Sequence, residues 1–342
     1  MPKMISTSPK KDRRLAVSLL LLLTFSLLPL VSIAANDVIS PGAIWRDTDG
    51  RVIQAHGGGI LQHEGKYYWY GENRTPRKPT TVSCYSSTNL HAWKSEGVVF
   101  GPEDFPAEMR GTFIERPKVL FNSKTRQFVM WWHADTNDYG LSQAGIAVAD
   151  KPTGPFKYLR SFRPINDQGF RDMNLFLDDD GSAYVFYASE RNLANYVSKL
   201  NADFTDVERP PVQGRTWERN FAGTRREAAA PFKHGGKYYL ITSGATGWNP
   251  NAADLSVADR PIGPYKPLGN PCVGPDANKT FLAQSTFVLP APNKPGTFIF
   301  MADQWSPKDL GDSRYIWLPF TVEAGKPIQI HWRYSWSFSQ LR

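Results

Sequence analysis

Cysteine is almost missing from this chain: its 342 residues contain two, Cys84 and Cys272, 188 positions apart. A disulfide framework is thereby excluded, and two thiols cannot by themselves build a metal centre. In an exported protein the pair could join if the fold brought them together; two buried free thiols are the expectation. Histidine is scarce as well, six in all, and no zinc-ligand spacing occurs. There is no glycine-rich phosphate loop and no defensible Ser-His-Asp pattern. Past residue 35 no apolar run approaches the roughly 20 residues of a membrane span, and no amphipathic helical period is sustained. Neither a cofactor nor a metal is expected.

The chain is rich instead in aromatics and turn residues: 11 Trp, 14 Tyr and 20 Phe beside 27 Gly and 27 Pro. With 41% hydrophobic and 21% charged residues the composition is globular, not disordered. The formal charge of +8 is unevenly placed. Lys3, Lys10, Lys11, Arg13 and Arg14 stand against Asp12 alone, ahead of an apolar stretch from Leu15 to about Ile33 and the small residues Ser32, Ala34 and Ala35. That succession predicts a signal peptide over residues 1–35, cleaved after Ala34 or Ala35. Arg13-Arg14 reads as part of a plain basic n-region, and no cysteine stands at its end to take a lipid. The remaining chain carries about +4, too little to argue for a nucleic-acid partner. A secreted or periplasmic protein is expected, free of the membrane once cleaved.

Internal repetition governs the rest. Five segments share a short apolar run, a turn and an aromatic strand, as in Gly59-Ile60-Leu61 followed by Gly65-Lys66-Tyr67-Tyr68-Trp69-Tyr70. Aligning Tyr68, Phe128, Tyr184, Tyr239 and Phe298 gives spacings of 60, 56, 55 and 59. Each segment reads as a β-hairpin. Later parts repeat too: Asp150-Lys151-Pro152-Thr153-Gly154-Pro155-Phe156 returns as Asp259-Arg260-Pro261-Ile262-Gly263-Pro264-Tyr265. Four short strands per unit and five units predict an all-β fold, a five-bladed β-propeller over residues 36–342. The tail Trp332-Arg333-Tyr334-Ser335-Trp336 is expected to help close the ring.

A propeller converges its innermost strands on an axis, so residues just ahead of the apolar runs should meet. They are His56, Glu115, Asp172, Glu227 and Gln284, polar in every repeat and acidic in three. Carboxylates crowded around a shielded axis raise one another's proton affinity, which keeps one of them protonated as an acid near neutral pH. Aromatics and amides at the same blade ends suit a sugar, whose C–H faces stack on rings and whose hydroxyls bind carboxylates and amides. Tyr139, Asn192, Trp248, Asn249 and Trp305 are the candidates, with Trp248 in an exposed Gly- and Asn-rich loop; His133 is placed near them. Asp178-Asp179-Asp180-Gly181 lacks the later ligands of a calcium loop and reads as a hairpin turn.

Arg171-Asp172-Met173, Asp178-Asp179-Asp180-Gly181, and Arg226-Glu227-Ala228 leading to Gly236-Lys237-Tyr238-Tyr239 resemble glycoside hydrolase family 43. Ala55-His56-Gly57-Gly58-Gly59, Glu115-Arg116-Pro117-Lys118-Val119, Gly247-Trp248-Asn249-Pro250-Asn251 and Gly311-Asp312-Ser313-Arg314-Tyr315 are similar to its exo-β-1,3-galactanase branch. The resemblance implies inverting release of galactose from β-1,3-galactan, an arabinogalactan backbone, by a monomer. It implies Glu227 as general acid, Asp172 orienting that acid and raising its pKa, Gln284 orienting the attacking water, and Glu115 binding sugar. The family's usual first-blade base, an aspartate, is replaced here by His56-Gly57-Gly58, a departure the galactanase branch shares. Because an amide is a poor base in its ordinary tautomer, Glu115 stays open as a rival base. His56 is a weaker one, with substrate binding or loop support as its other reading. The alternatives are another family 43 specificity, arabinofuranosidase or β-xylosidase, and a sugar-binding propeller without catalysis.

Overall fold

The computed structural model describes residues 37–341, together with Met1, Pro2 and Met4; the expected signal peptide otherwise lies outside the described residues. Each aromatic run becomes the second strand of an antiparallel sheet that is covered on both faces. Successive side chains on a strand point to opposite faces, and here both faces are apolar, so the runs are nearly continuous. In Tyr68-Trp69-Tyr70 the outer two rings pack toward the second repeat and Trp69 toward the fifth.

Blade 1 holds His56–His63, Lys66–Asn73, Thr81–Ser87 and Lys94–Phe100. Blade 2 holds Phe113–Asn122, Gln127–Asp135, Gln143–Ala149 and Lys157–Phe162. Arg171–Leu177, Ala183–Ser189, Ala194–Lys199 and Trp217–Asn220 form blade 3. Arg226–His234, Lys237–Gly244, Asp254–Ala258 and Lys266–Gly269 form blade 4. Within each blade the strands pair in chain order, and the first strands pack against one another in a closed ring. The fold is the expected five-bladed propeller.

Blade 5 differs from expectation. It has three strands, Gln284–Pro290, Thr297–Gln304 and Arg314–Thr321, where four were predicted. The chain beyond them is used elsewhere: Ile330–His331 pairs in parallel with Cys272–Val273, and Trp336–Ser337 pairs with Val38–Ile39. The chain ends thus meet in a separate two-stranded ladder, and no blade is built from strands of both ends. Trp336 is the part of the aromatic tail that is buried, its indole N–H donating to the Trp317 carbonyl at 2.7 Å, while Tyr334 is 79% exposed.

Five apolar clusters fill the five blade interfaces. The repeated Gly-Pro-aromatic turns place Phe156 between blades 1 and 2 and Tyr265 between blades 3 and 4. The interface of blades 5 and 1 joins Trp69, Trp93, Trp317 and Trp336 with Ile39 near the start of the described chain. Cys84 and Cys272 are free buried thiols in different interfaces. Asp178-Asp179-Asp180-Gly181 is a turn closed by the Gly181 N–H on the Asp178 carbonyl, and the Asp178 carboxylate takes Lys233 and Tyr238.

Trp69 contacts Trp45, Trp93, Tyr315 and Trp317 at ring separations of 4.7–6.2 Å. Trp69→Ala is expected to cost about 3–5 kcal/mol, whereas Tyr334→Ala should stay within about 0.5 kcal/mol of wild type. Denaturant titration of both variants checks the difference.

Candidate active site

All five innermost strands carry the same irregularity. Each pairs normally at one residue, slips by one, and resumes, a β-bulge repeated at His56/Gly59, Glu115/Lys118, Arg171/Asn174, Glu227/Ala230 and Ser285/Phe287. Four bulges place a residue in the left-handed region: Gly57, Arg116, Asp172 and Ala228, at φ of 45–57°. Three of those are not glycine, and such strain concentrates at functional sites. The bulge also frees carbonyls toward the axis, and buried side chains cap them. Lys118 Nζ donates to Gly57 O at 2.7 Å, Asn174 Nδ2 to Ala229 O and Thr286 O at 2.8 and 2.9 Å, and Ser285 Oγ to Ala228 O at 2.6 Å. Next to these bulges lies a pocket of about 320 Å³, lined by Glu115, Arg116, Asp172, Glu227 and Gln284 among others.

The expected register holds with one correction. His56, Glu115, Glu227 and Gln284 occupy equivalent pairing positions, but their counterpart in blade 3 is Arg171. Asp172 comes one residue later, on the bulge, equivalent to Arg116. The reason is the hairpin of blade 3: Tyr184 takes the cross-strand position of Tyr68 and Tyr239, but its turn is one residue longer, so the same count back reaches Asp172. Asp172 and Arg116 meet because both side chains leave from left-handed residues, Arg116 Nε lying 2.7 Å from Asp172 Oδ1.

Glu227 is buried at the pocket wall, accepting from Asn192 Nδ2 at 2.7 Å and from Gln284 Nε2 at 2.9 Å. Burial, and next the nearby Asp172 carboxylate, push its pKa up to about 8. Gln284 uses its whole hydrogen-bonding capacity. Its amide nitrogen also donates to Ser243 Oγ at 3.0 Å, and its oxygen accepts from Arg116 at 2.5 Å and Trp305 Nε1 at 3.0 Å. Glu115 behaves oppositely to Glu227. Burial alone would raise its carboxyl, but His133, whose Nδ1 lies 3.0 Å away, together with Arg74 and Arg116, holds it at about 2. Desolvation would lower His133; its hydrogen bond to Asp135 at 2.7 Å and the Glu115 carboxylate outweigh that and lift it to about 9.

Tyr139 lines the pocket and donates to Glu115 at 3.2 Å; Trp248 and Trp305 form the opposite wall, edge to face at 5.5 Å. Two expected residues are elsewhere. His56 is fully buried outside the pocket lining, stacked on Tyr315 at 5.0 Å, and desolvation lowers it to about 3. Asn249 lines a neighbouring cleft behind Trp248. His133 does reach the pocket lining. Glu115, His133 and Asp172 offer ligand atoms within 4.8 Å of one another. Arg74 and the His133 ring pair with Glu115, and Arg116 pairs with Asp172.

Sequence reading missed Glu72, Arg74 and Arg116. Glu72 is cross-strand from His56, binds Arg74 at 2.5 Å, and accepts the Arg116 backbone N–H at 2.7 Å. Counting across each hairpin, and not only along the inner strand, would have found it. Glu72 also explains the glycine at the place where an aspartate was expected: a Cβ on Gly57 would lie 2.4 Å from Glu72 Oε1.

Residues 56–280 match glycosyl hydrolases family 43. Among solved structures, the chain is similar to a family 43 β-1,3-galactosidase solved with galactodeoxynojirimycin (43% identity, 87% of this chain and 100% of that one, TM-score 0.81). It is similar to an exo-β-1,3-galactanase from Phanerochaete chrysosporium solved with β-1,3-galactotriose (36%, 88% and 68%, TM-score 0.79). A third is an exo-β-1,3-galactanase from Clostridium thermocellum (34%, 87% and 66%, TM-score 0.79). Curated relatives are a β-xylosidase of Xylanibacter ruminicola, 28% identical over 53% of this chain, and a xylosidase/arabinosidase of Humicola insolens, 33% over 27%. The chain spans 64% and 26% of their respective lengths.

Gly57→Ala combines the Glu72 clash with a left-handed φ of 57°. It is expected to cost about 1–3 kcal/mol, while Gly181→Ala, a turn glycine with open space around it, should cost less. Thermal unfolding of the two variants checks this order.

Proposed function

The chain belongs to glycosyl hydrolase family 43, and we propose that it is an exported, monomeric, inverting enzyme that releases galactose from the ends of β-1,3-galactan. The observation that carries this reading is Glu227: a buried carboxyl, kept protonated near neutral pH, on the wall of the pocket at the axis.

Glu227 gives its proton to the glycosidic oxygen as the bond to the anomeric carbon breaks. The Asp172 carboxylate lies 2.7 Å from Arg116 and, next to burial, raises the proton affinity of Glu227. Water then adds from the opposite face, oriented by Gln284. Substrate entry must first free one of that amide's four hydrogen bonds; the attacking water gives its proton to bulk water, because the amide oxygen binds protons weakly, and Glu227 regains one from solvent after the sugar leaves. Glu115 is the poorer base. A carboxyl held at about 2 retains little proton affinity, and Arg74, His133 and Tyr139 take three of its four acceptor sites. The fourth is left to hold a sugar hydroxyl, with Tyr139 beside it, Asn192 at Glu227 and Trp248 as a stacking surface. The galactan assignment is supported by the galactan-acting neighbours, which match most of this chain; the xylosidase relatives match shorter spans.

Product analysis on linear β-1,3-galactan should show galactose, and NMR of the first product should show the anomer opposite to that of the cleaved bond. Glu227→Gln and Gln284→Ala should each lower kcat by about 10²–10⁴-fold. Xylose or arabinose release in place of galactose would overturn the substrate, and a retained anomer would overturn inversion. The acid must be protonated, so kcat/KM is expected to fall as pH rises past about 8. The sign for stability follows. Folding binds the Glu227 proton between its ordinary value of 4.5 and about 8, so wild-type stability declines across that window. Glu227→Gln, which has no proton to lose, should gain Tm relative to wild type at pH 9 more than at pH 4. Export is checked by N-terminal sequencing of the protein outside the cytoplasm, which should begin at Ala35 or Asn36.

A further inference from the structure

The charges around the pocket do not balance evenly. Its wall holds four carboxylates, Glu72, Glu115, Asp172 and Glu227, and five arginines. Arg74 serves Glu72 and Glu115, and Arg116 serves Asp172. Arg171 is spent on Ser142 Oγ at 2.9 Å and the Tyr139 carbonyl, with Asp135 at 3.8 Å. Arg191 and Arg225 are left over. Both line the pocket, both are exposed, and among the described residues neither guanidinium has a hydrogen-bonding or ionic partner.

Their location is specific. Arg191 precedes Asn192, whose amide holds Glu227, and Arg225 stands two residues before Glu227 itself. Both are held at a φ of 55°. The Arg225 carbonyl accepts the Ala245 N–H at 2.8 Å, tying it to the loop that carries Trp248. On the reading that Glu227 protonates the leaving oxygen, both guanidiniums flank the leaving-group side of the cleaved bond.

We propose that Arg191 and Arg225 form a subsite for an anionic substituent on the sugar beyond the cleaved bond. A planar guanidinium fork matches a carboxylate or a sulfate ester through paired, charge-assisted hydrogen bonds. A neutral galactan leaves the two arginines in water at no cost. A hexuronic acid branch or a sulfated galactose gains a contact that the rest of the wall, already paired internally, does not provide. The subsite therefore selects acidic galactans over neutral ones.

The test is calorimetric binding to the Glu227→Gln protein, which holds oligosaccharide without turning it over. The probes are β-1,3-galactotriose with a glucuronic acid branch on its second residue, the same trisaccharide with a sulfate ester there, and a glucose-branched control of equal size. At least one acidic probe should bind about tenfold more tightly than the control at low salt, and the two acidic arms show which anion is preferred. Screening should reduce that advantage to about twofold or less in about 0.5 M salt. Arg191→Gln with Arg225→Gln should abolish the advantage, and Arg191→Lys with Arg225→Lys should keep part of it. Equal binding of acidic and neutral probes, no binding of either acidic probe, or a preference that survives the glutamine pair overturns the proposal. Because the readout is binding, failure to release galactose would overturn the enzymatic reading separately.

Discussion

The buried guanidinium of Arg116 is the contact on which the site depends. Its backbone N–H is held by Glu72 of blade 1, its Nε by Asp172 of blade 3, and its two terminal nitrogens by Gln284 and the Ser285 carbonyl of blade 5. Gln284 passes the chain of contacts on to Glu227 of blade 4. A buried charge of this kind is tolerated only when paired and fully hydrogen-bonded; blades 3 and 5 pair the guanidinium, blade 1 holds the backbone, and blade 4 is reached through Gln284. The left-handed backbone at Arg116 aims the side chain along the axis, so the strain of the bulge and the order of the pocket are two aspects of one constraint.

Around that hub, environment divides chemically similar groups into different roles. Glu72, Glu115 and Asp172 each touch a cation, whereas Glu227 touches two amides and no cation. Burial therefore dominates at Glu227 and its proton stays, while at Glu115 the facing imidazolium wins and the proton goes. Contact with a cation does not by itself decide the sign, since burial raises Glu72 although Arg74 lies against it; the balance between burial and the partners does.

The first blade shows how the departure from the family's usual pattern is built in. With Gly57 at the bulge, the space a side chain would occupy is filled by the Glu72 carboxylate, which arrives from the second strand and supports Arg116. The change of residue and the change of network belong together. The neighbouring His56 is enclosed against Tyr315 and lowered to about 3, so it serves packing and not proton transfer.

Fold class and blade number were legible in the amino-acid order because both are consequences of local patterning. Aromatic strands covered on two faces leave unbroken apolar runs, and turns leave glycine and proline at a regular period. Four of the five blade-register residues were legible for the same reason, since strands that converge on an axis repeat their polar position. The placement of Asp172 on the bulge, the third strand as the last of blade 5, and the supporting Glu72, Arg74 and Arg116 were not. Each of these depends on cross-strand pairing, and hairpin length shifts that pairing by one residue without altering the composition. The sequence by itself thus determined the blades and four of the five side chains at their repeated polar position. The tertiary structure decided which of them are charged, because proton affinity follows burial and the nearest opposite charge, and those neighbours are brought together only when the ring closes.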